Sequence, residues 1–180
     1  MSGITTNKEH AALETQHVLS NLTPSFTYRG YEGLISLLRN EGYAFSSYES
    51  WREYNKVVIL RHDIDVDIPK ALKLAELETE LGVSSVYYVL LRSDLYNFSS
   101  ERNVAMLKQI SNLGHEVGLH FDETFYNGKD KAQHVLREAK VLSEVIGAPV
   151  KSVSMHRPSQ ACLSENWQIP GIINSYSDTF

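Results

Sequence analysis

A chain of 180 residues, 42% hydrophobic and 22% charged, has the composition of an ordinary soluble globular protein, long enough for one domain with a proper core. Its net charge of -5 and scattered basic residues leave no footprint for nucleic acid, and no apolar run approaches the roughly twenty residues that cross a bilayer. The single cysteine, Cys162, excludes an internal disulfide framework, and the polar start lacks the apolar core of a signal peptide, so a cytoplasmic protein is expected.

Residues 1–24 read as a polar N-terminal arm, with a short helix over 9–19 closed off by Asn21 and Pro24, and residues 25–180 as the folded domain. The first helix of that domain is expected over 31–40, with Leu34, Ile35, Leu37 and Leu38 on its apolar side and Gly42 as its stop. From Val57 the pattern changes: apolar runs at 57–60, 83–91, 116–119 and 151–155 alternate with helix-period segments at 69–81, 100–113 and 129–146. This is the signature of repeated β-α units and a mainly parallel sheet, with Pro69 suited to a first helical turn and Gly82, Gly114 and Gly147 placed where helices end.

The first of these runs ends in Arg61-His62-Asp63-Ile64-Asp65-Val66-Asp67. If the extended conformation persists past Leu60, Asp63, Asp65 and Asp67 project to one side and His62 and Ile64 to the other. Carboxylates so close repel, and a bound cation or a raised pKa relieves the repulsion; two of them with different neighbours divide the labour of metal ligand and base. The plain alternative is that these aspartates cap the next helix. A calcium loop is not supported, because neither the Gly at the sixth position nor the Glu at the twelfth follows.

Polar residues follow every apolar run: Arg61 to Asp67, then Arg92, Ser93 and Asp94, then His120 to Glu123, then His156 and Arg157. In parallel α/β folds the carboxyl ends of the strands share one face, where active sites are built. Carboxylates and imidazoles delivered there by separate strands form the ligand set of zinc or a similar divalent ion. His115 precedes its strand and reads as structural, and His62, which alternates away from Asp63, as a hydrogen-bonding partner.

From about Phe26 onward the chain resembles the polysaccharide deacetylases of carbohydrate esterase family 4, especially relatives associated with surface-polysaccharide biosynthesis. The resemblance is carried by Leu60-Arg61-His62-Asp63-Ile64-Asp65, by Gly114-His115-Glu116-Val117-Gly118-Leu119-His120 and by Ser154-Met155-His156-Arg157-Pro158. It implies a distorted, incomplete (β/α) barrel and metal-dependent removal of an acetyl group from an N-acetylated sugar or polysaccharide precursor. Carried over by position, Asp63 is the catalytic base, Arg157 the arginine that orients it, and Asp65 and His120 are metal ligands. Two departures stand out. The position four residues after His120, where the family has a second metal histidine, is Thr124, so His156 is expected as the third ligand, with Asp122 or Glu123 in reserve. The sequence also stops at Phe180, before the last strands, which normally supply a hydrophobic pocket and a histidine acting as general acid; a truncated barrel and self-association as a homo-oligomer are therefore expected.

Tyr96, Phe121 and Tyr126, near strand ends, are candidates to stack on a sugar ring, against the alternative of core packing. The competing function is a catalytically silent metal-binding or scaffold protein of the same fold, and a third is hydrolysis of another C–N bond on the same face.

Overall fold

The computed structural model describes residues 25–126 and 130–180. The expected arm, 1–24, lies outside the described residues. The chain divides into two compact units, residues 1–41 and 42–180. Within the described part of the first, helix α1 (Tyr28–Asn40) begins at Thr27, whose Oγ1 accepts the Gly30 N–H at 3.1 Å.

The second unit holds every described strand. Strands β1 (Ala44–Phe45) and β2 (Val57–Val58) form a short parallel ladder. After Ile59 the chain enters a five-stranded parallel sheet in sequential order: β3 (Leu60–Ile64), β4 (Ser85–Leu90), β5 (Glu116–Phe121), β6 (Ser152–Met155) and β7 (Ile173–Asn174). The apolar run that opens at Val57 thus serves two sheets in turn, and the aspartate motif lies partly on the strand rather than wholly beyond it. Helices α2 (Ile68–Glu80), α3 (Glu101–Asn112) and α4 (Lys131–Ile146) form the crossovers, and a short α5 (Gln160–Ser164) precedes β7. Each long helix has a local reason for its ends. Pro69 sits in the first turn of α2, Ser100 Oγ and Asp130 Oδ1 cap α3 and α4, and α4 closes on Gly147 at φ 73°.

Strand alternation divides the unit into two apolar clusters. Tyr87 and Val89 of β4 face the helices with Ile68, Leu107, Ile110, Leu119, Phe121, Val135, Leu142 and Val153. Val86 and Tyr88 face the other way and meet Tyr48, Ile59 and Ile173. All six residues of β4 are buried, as expected of a strand covered on both faces. Gly118 on β5 makes the inner face possible: a Cβ there would stand 2.5 Å from Tyr88 Cε1. Across the inner face the Arg61 guanidinium of β3 reaches Ser175 Oγ, just past β7, at 3.0 Å. Among the described residues no backbone ladder joins β3 to β7. The parallel α/β sheet is therefore as expected, while the ladder itself is open at these two edges. Among the described residues no helix is long and apolar enough to cross a membrane.

Candidate metal centre and active site

Register decides which side chains meet at the carboxyl ends. Leu90, His120 and Ser154 are cross-strand neighbours, and Asp63, Tyr88 and Gly118 form a second row, all directed to the inner face. His62 and Ile64 face the helices. His62 Nε2 meets the fully buried Glu78 carboxylate at 2.7 Å, and Tyr87 donates its hydroxyl to the same carboxylate at 2.6 Å.

Asp65, His120 and His156 converge. Asp65 Oδ1 lies 3.3 Å from His120 Nε2 and 3.3 Å from His156 Nδ1, and the two imidazole nitrogens are 3.2 Å apart. His120 is buried, and its Nδ1 lies 3.2 Å from the Ser154 carbonyl. A carbonyl only accepts, so Nδ1 carries the proton and Nε2 keeps a free lone pair toward the other two residues. Burial lowers the pKa of His120, against the opposing charge of Asp63, and so favours the neutral ring that a metal needs. The backbone fixes His156 in turn, its N–H donating to the Phe121 carbonyl at 2.8 Å.

The triangle passes a simple test of fit. Donors about 2.0–2.1 Å from a tetrahedral ion stand roughly 3.3–3.4 Å from one another. The observed edges of 3.2, 3.3 and 3.3 Å are those of one face of such a tetrahedron, and the opposite side opens into a cavity. Two imidazoles and a carboxylate, with one imidazole oriented by a backbone carbonyl, are a suitable donor set for a divalent cation.

Asp63 stands beside this triangle without joining it. Both of its carboxylate oxygens lie 3.2 Å from Arg61 Nη2, and Ser154 Oγ donates to Oδ1 at 3.1 Å. The cavity, about 530 Å³, is lined by Asp63, Asp65, His120, His156 and Leu90 on its inner side. Its rim carries Val66, Leu95 and Phe125, which are 60%, 64% and 50% exposed.

No protein-family model and no curated protein matches the sequence. Solved structures do match the fold. The Streptococcus pyogenes deacetylase PplD, solved in complex with acetate, superposes with a TM-score of 0.53 and 14% identity, covering 68% of this chain and 59% of that one. IcaB from Ammonifex degensii superposes with a TM-score of 0.53 and 15% identity, covering 72% and 66%. The chain shares the fold of these two structures. At these identities the likeness is one of fold, and the chain spans 59% to 66% of the length of the two structures.

Within this fold not every candidate residue reaches Asp63 or the triangle. Arg157 lines the cavity mouth but makes no hydrogen bond or ion pair with Asp63; it is exposed, with φ 46°, and the guanidinium on Asp63 is that of Arg61. Asp122 does not reach the triangle: its Oδ1 accepts from the N–H and hydroxyl of Thr124. Glu123 is buried against Lys131 and accepts the Ser159 N–H at 2.7 Å. Asp67 sits at the N-terminal boundary of α2, without a side-chain capping bond and 3.8 Å from Lys70.

The aromatics expected to stack on a sugar each have partners within the fold. Phe121 is fully buried on the helix side, stacked on Tyr126 and edge-on to Trp167, because alternation turns it away from its neighbour His120. Tyr126 stacks on His134 at 4.0 Å, while its hydroxyl bonds Glu138 and accepts from Arg92. Tyr96 spends its hydroxyl on backbone, donating to the Ile64 carbonyl at 2.7 Å and accepting the Leu90 N–H at 2.9 Å. The aromatic side chains that line the cavity are Phe125 and Tyr176. Cys162 is buried, which pushes its thiol up to about 11 and disfavours the thiolate.

Proposed function

We propose that this chain is a metal-dependent hydrolase that removes an acetyl group from an N-acetylated sugar, as a step in making a surface polysaccharide. The observation that carries the reading is a carboxylate, Asp63, held beside the Asp65–His120–His156 triangle but outside it. A purely structural metal site has no use for such a group, which weighs against a silent scaffold.

Asp65, His120 and His156 would hold the ion, for which zinc is the simplest choice given one carboxylate and two imidazoles. When bound, it supplies Lewis-acid polarisation of the acetyl carbonyl and lowers the pKa of water. Asp63 takes the proton of the attacking water as the new C–O bond forms. The C–N bond then breaks, and the proton held on Asp63 goes to the leaving amine, so that acetate and a free amino sugar result. Leu90, next to His120 in the register, offers an apolar contact for the acetyl methyl. The incomplete barrel that the resemblance implies belongs to the same reading, supported by side chains that span the inner face between β3 and β7, where among the described residues no ladder does.

The test is acetate release from free, nucleotide-linked and polymeric N-acetylated amino sugars by the zinc-loaded protein and by Asp63→Asn. The parent should release acetate from one of these classes, and Asp63→Asn should lower kcat about 10²- to 10⁴-fold. Equal turnover by the two proteins would remove Asp63 from the mechanism. No acetate from any substrate would leave the silent scaffold as the better reading.

A further inference from the structure

We propose that Arg61 is the positioning residue of this site, and that it takes the place that the sequence resemblance gives to Arg157. The inference rests on the deacetylase reading for its kinetic consequence, and on geometry alone for its structural one.

Residues two apart on a strand share a face, so β3 delivers Arg61 and Asp63 side by side to the inner face. One guanidinium nitrogen, Nη2, lies 3.2 Å from each carboxylate oxygen. An arginine on a surface strand would gain little from such a pair, because both side chains would be free to leave it. Here the guanidinium is gripped from the other strands. Nη1 donates to Ser175 Oγ, beyond β7, at 3.0 Å, and Nη2 also bonds Ser154 Oγ on β6. The rings of Tyr88 and Tyr176 each lie 5.2 Å from its central carbon. A planar donor fixed from four sides sets the orientation of the carboxylate bound to it.

Ser154 completes the arrangement by donating to Asp63 Oδ1 while bonded to Arg61. The carboxylate is therefore held by a guanidinium and a hydroxyl that hold each other. Arg157, exposed at the cavity mouth, takes no part in it.

The experiment uses the full chain, loaded with zinc, as parent, Arg61→Lys, Arg61→Ala and Arg61→Ala/Asp63→Asn. Metal content, kcat and KM for acetate release are measured, with and without added guanidinium, and the crystal structure of Arg61→Ala is solved. Misplacing the base predicts a drop in kcat of about 10²-fold in Arg61→Ala, with KM and metal content close to the parent's. Added guanidinium should recover part of the loss. The double variant should be no slower than Asp63→Asn alone. Arg61→Lys, which keeps the charge and much of the packing, should fold and still show reduced kcat, because one ammonium nitrogen cannot stand in the places of both Nη1, on Ser175, and Nη2, on Asp63 and Ser154.

In the crystal structure the Asp63 carboxylate should leave its present rotamer. An unmoved carboxylate, or a kcat within about threefold of the parent in both single variants, overturns the proposal. So does loss of metal in parallel with loss of activity, which would make Arg61 merely structural. If the parent releases no acetate the deacetylase reading fails, while the position of Asp63 in the variant still decides the role of Arg61.

Discussion

The Nδ1–H of His120 donates to the carbonyl oxygen of Ser154 at 3.2 Å, and the same Ser154 donates its hydroxyl to Asp63 at 3.1 Å. Backbone and side chain of one residue thus serve two different parts of the site. Removing the hydroxyl leaves the carbonyl in place. Ser154→Ala is therefore expected to keep about one divalent ion per chain, with acetate release down by up to roughly tenfold, the worth of one hydrogen bond. His120→Ala should lose the ion outright. Elemental analysis of the two variants side by side checks this, and loss of metal from Ser154→Ala would show that the two functions are not separable.

Gly118→Ala should be costly although alanine is the smallest possible change. Its Cβ would stand 2.5 and 2.6 Å from two ring atoms of the fully buried Tyr88, and 3.0 Å from Ser152 Oγ. Overpacking of this kind costs about 1–3 kcal/mol. At roughly 2–4 °C per kcal/mol for a chain of this size, melting should fall by several degrees. An unchanged Tm would mean that Tyr88 yields freely, and with it the stack beneath Arg61.

Tyr96→Phe tests the assignment of that hydroxyl to the backbone. The variant leaves the Ile64 carbonyl and the Leu90 N–H without their partner, at a cost of about 1–3 kcal/mol if water cannot replace it. Stability to urea should drop while KM for the sugar stays as it was. A raised KM with full stability would restore Tyr96 to the substrate site.

His115 gives the fold a sensitivity to acid. It is buried, accepts the Ser85 N–H on Nδ1 at 3.1 Å, and faces the Ala75 carbonyl with Nε2 at 3.0 Å, so the neutral ring is the one that fits. Burial lowers its pKa below the ordinary value of 6.5, against the opposing pull of Glu78. The folded state therefore binds fewer protons than the unfolded chain between its lowered pKa and 6.5. Stability from this group is complete above that window and is lost as pH falls through it. His115→Gln, which offers an acceptor and a donor but does not titrate, should flatten the fall in Tm below neutrality; an identical pH profile would place the acid sensitivity elsewhere.

Much of this was legible from alternation and periodicity. The four long strands, the three crossover helices and the gathering of polar residues at one end of the sheet follow from where apolar runs stop and polar residues begin, whereas the choice of Asp65, His120 and His156 as a set comes from the family resemblance. The role of Arg61 was also within reach, since strand alternation puts residues 61 and 63 on one side. The same rule applied to Phe121 and His120 turns one inward and the other toward the helices, which nearness to a strand end does not reveal. Strands β1 and β7, two residues each, carry no period to detect. Glu78 lay beyond any local pattern: a glutamate in a helix reads as solvated until β3 and β4 bring His62 and Tyr87 to it.

The line between β3 and β7 has a mechanical meaning. Any two adjacent strands of the main sheet are tied by repeated backbone bonds, whereas among the described residues these two edges meet through side chains, the Arg61–Ser175 and Arg61–Tyr176 contacts and the small cluster that includes Ile59 and Ile173. Parting them sacrifices the Arg61–Ser175 hydrogen bond, the packing of Tyr176 on the Arg61 guanidinium and a few apolar contacts. The inner face thus has a seam held by side chains rather than by a ladder, and the guanidinium that holds the Asp63 carboxylate is also the stitch across it.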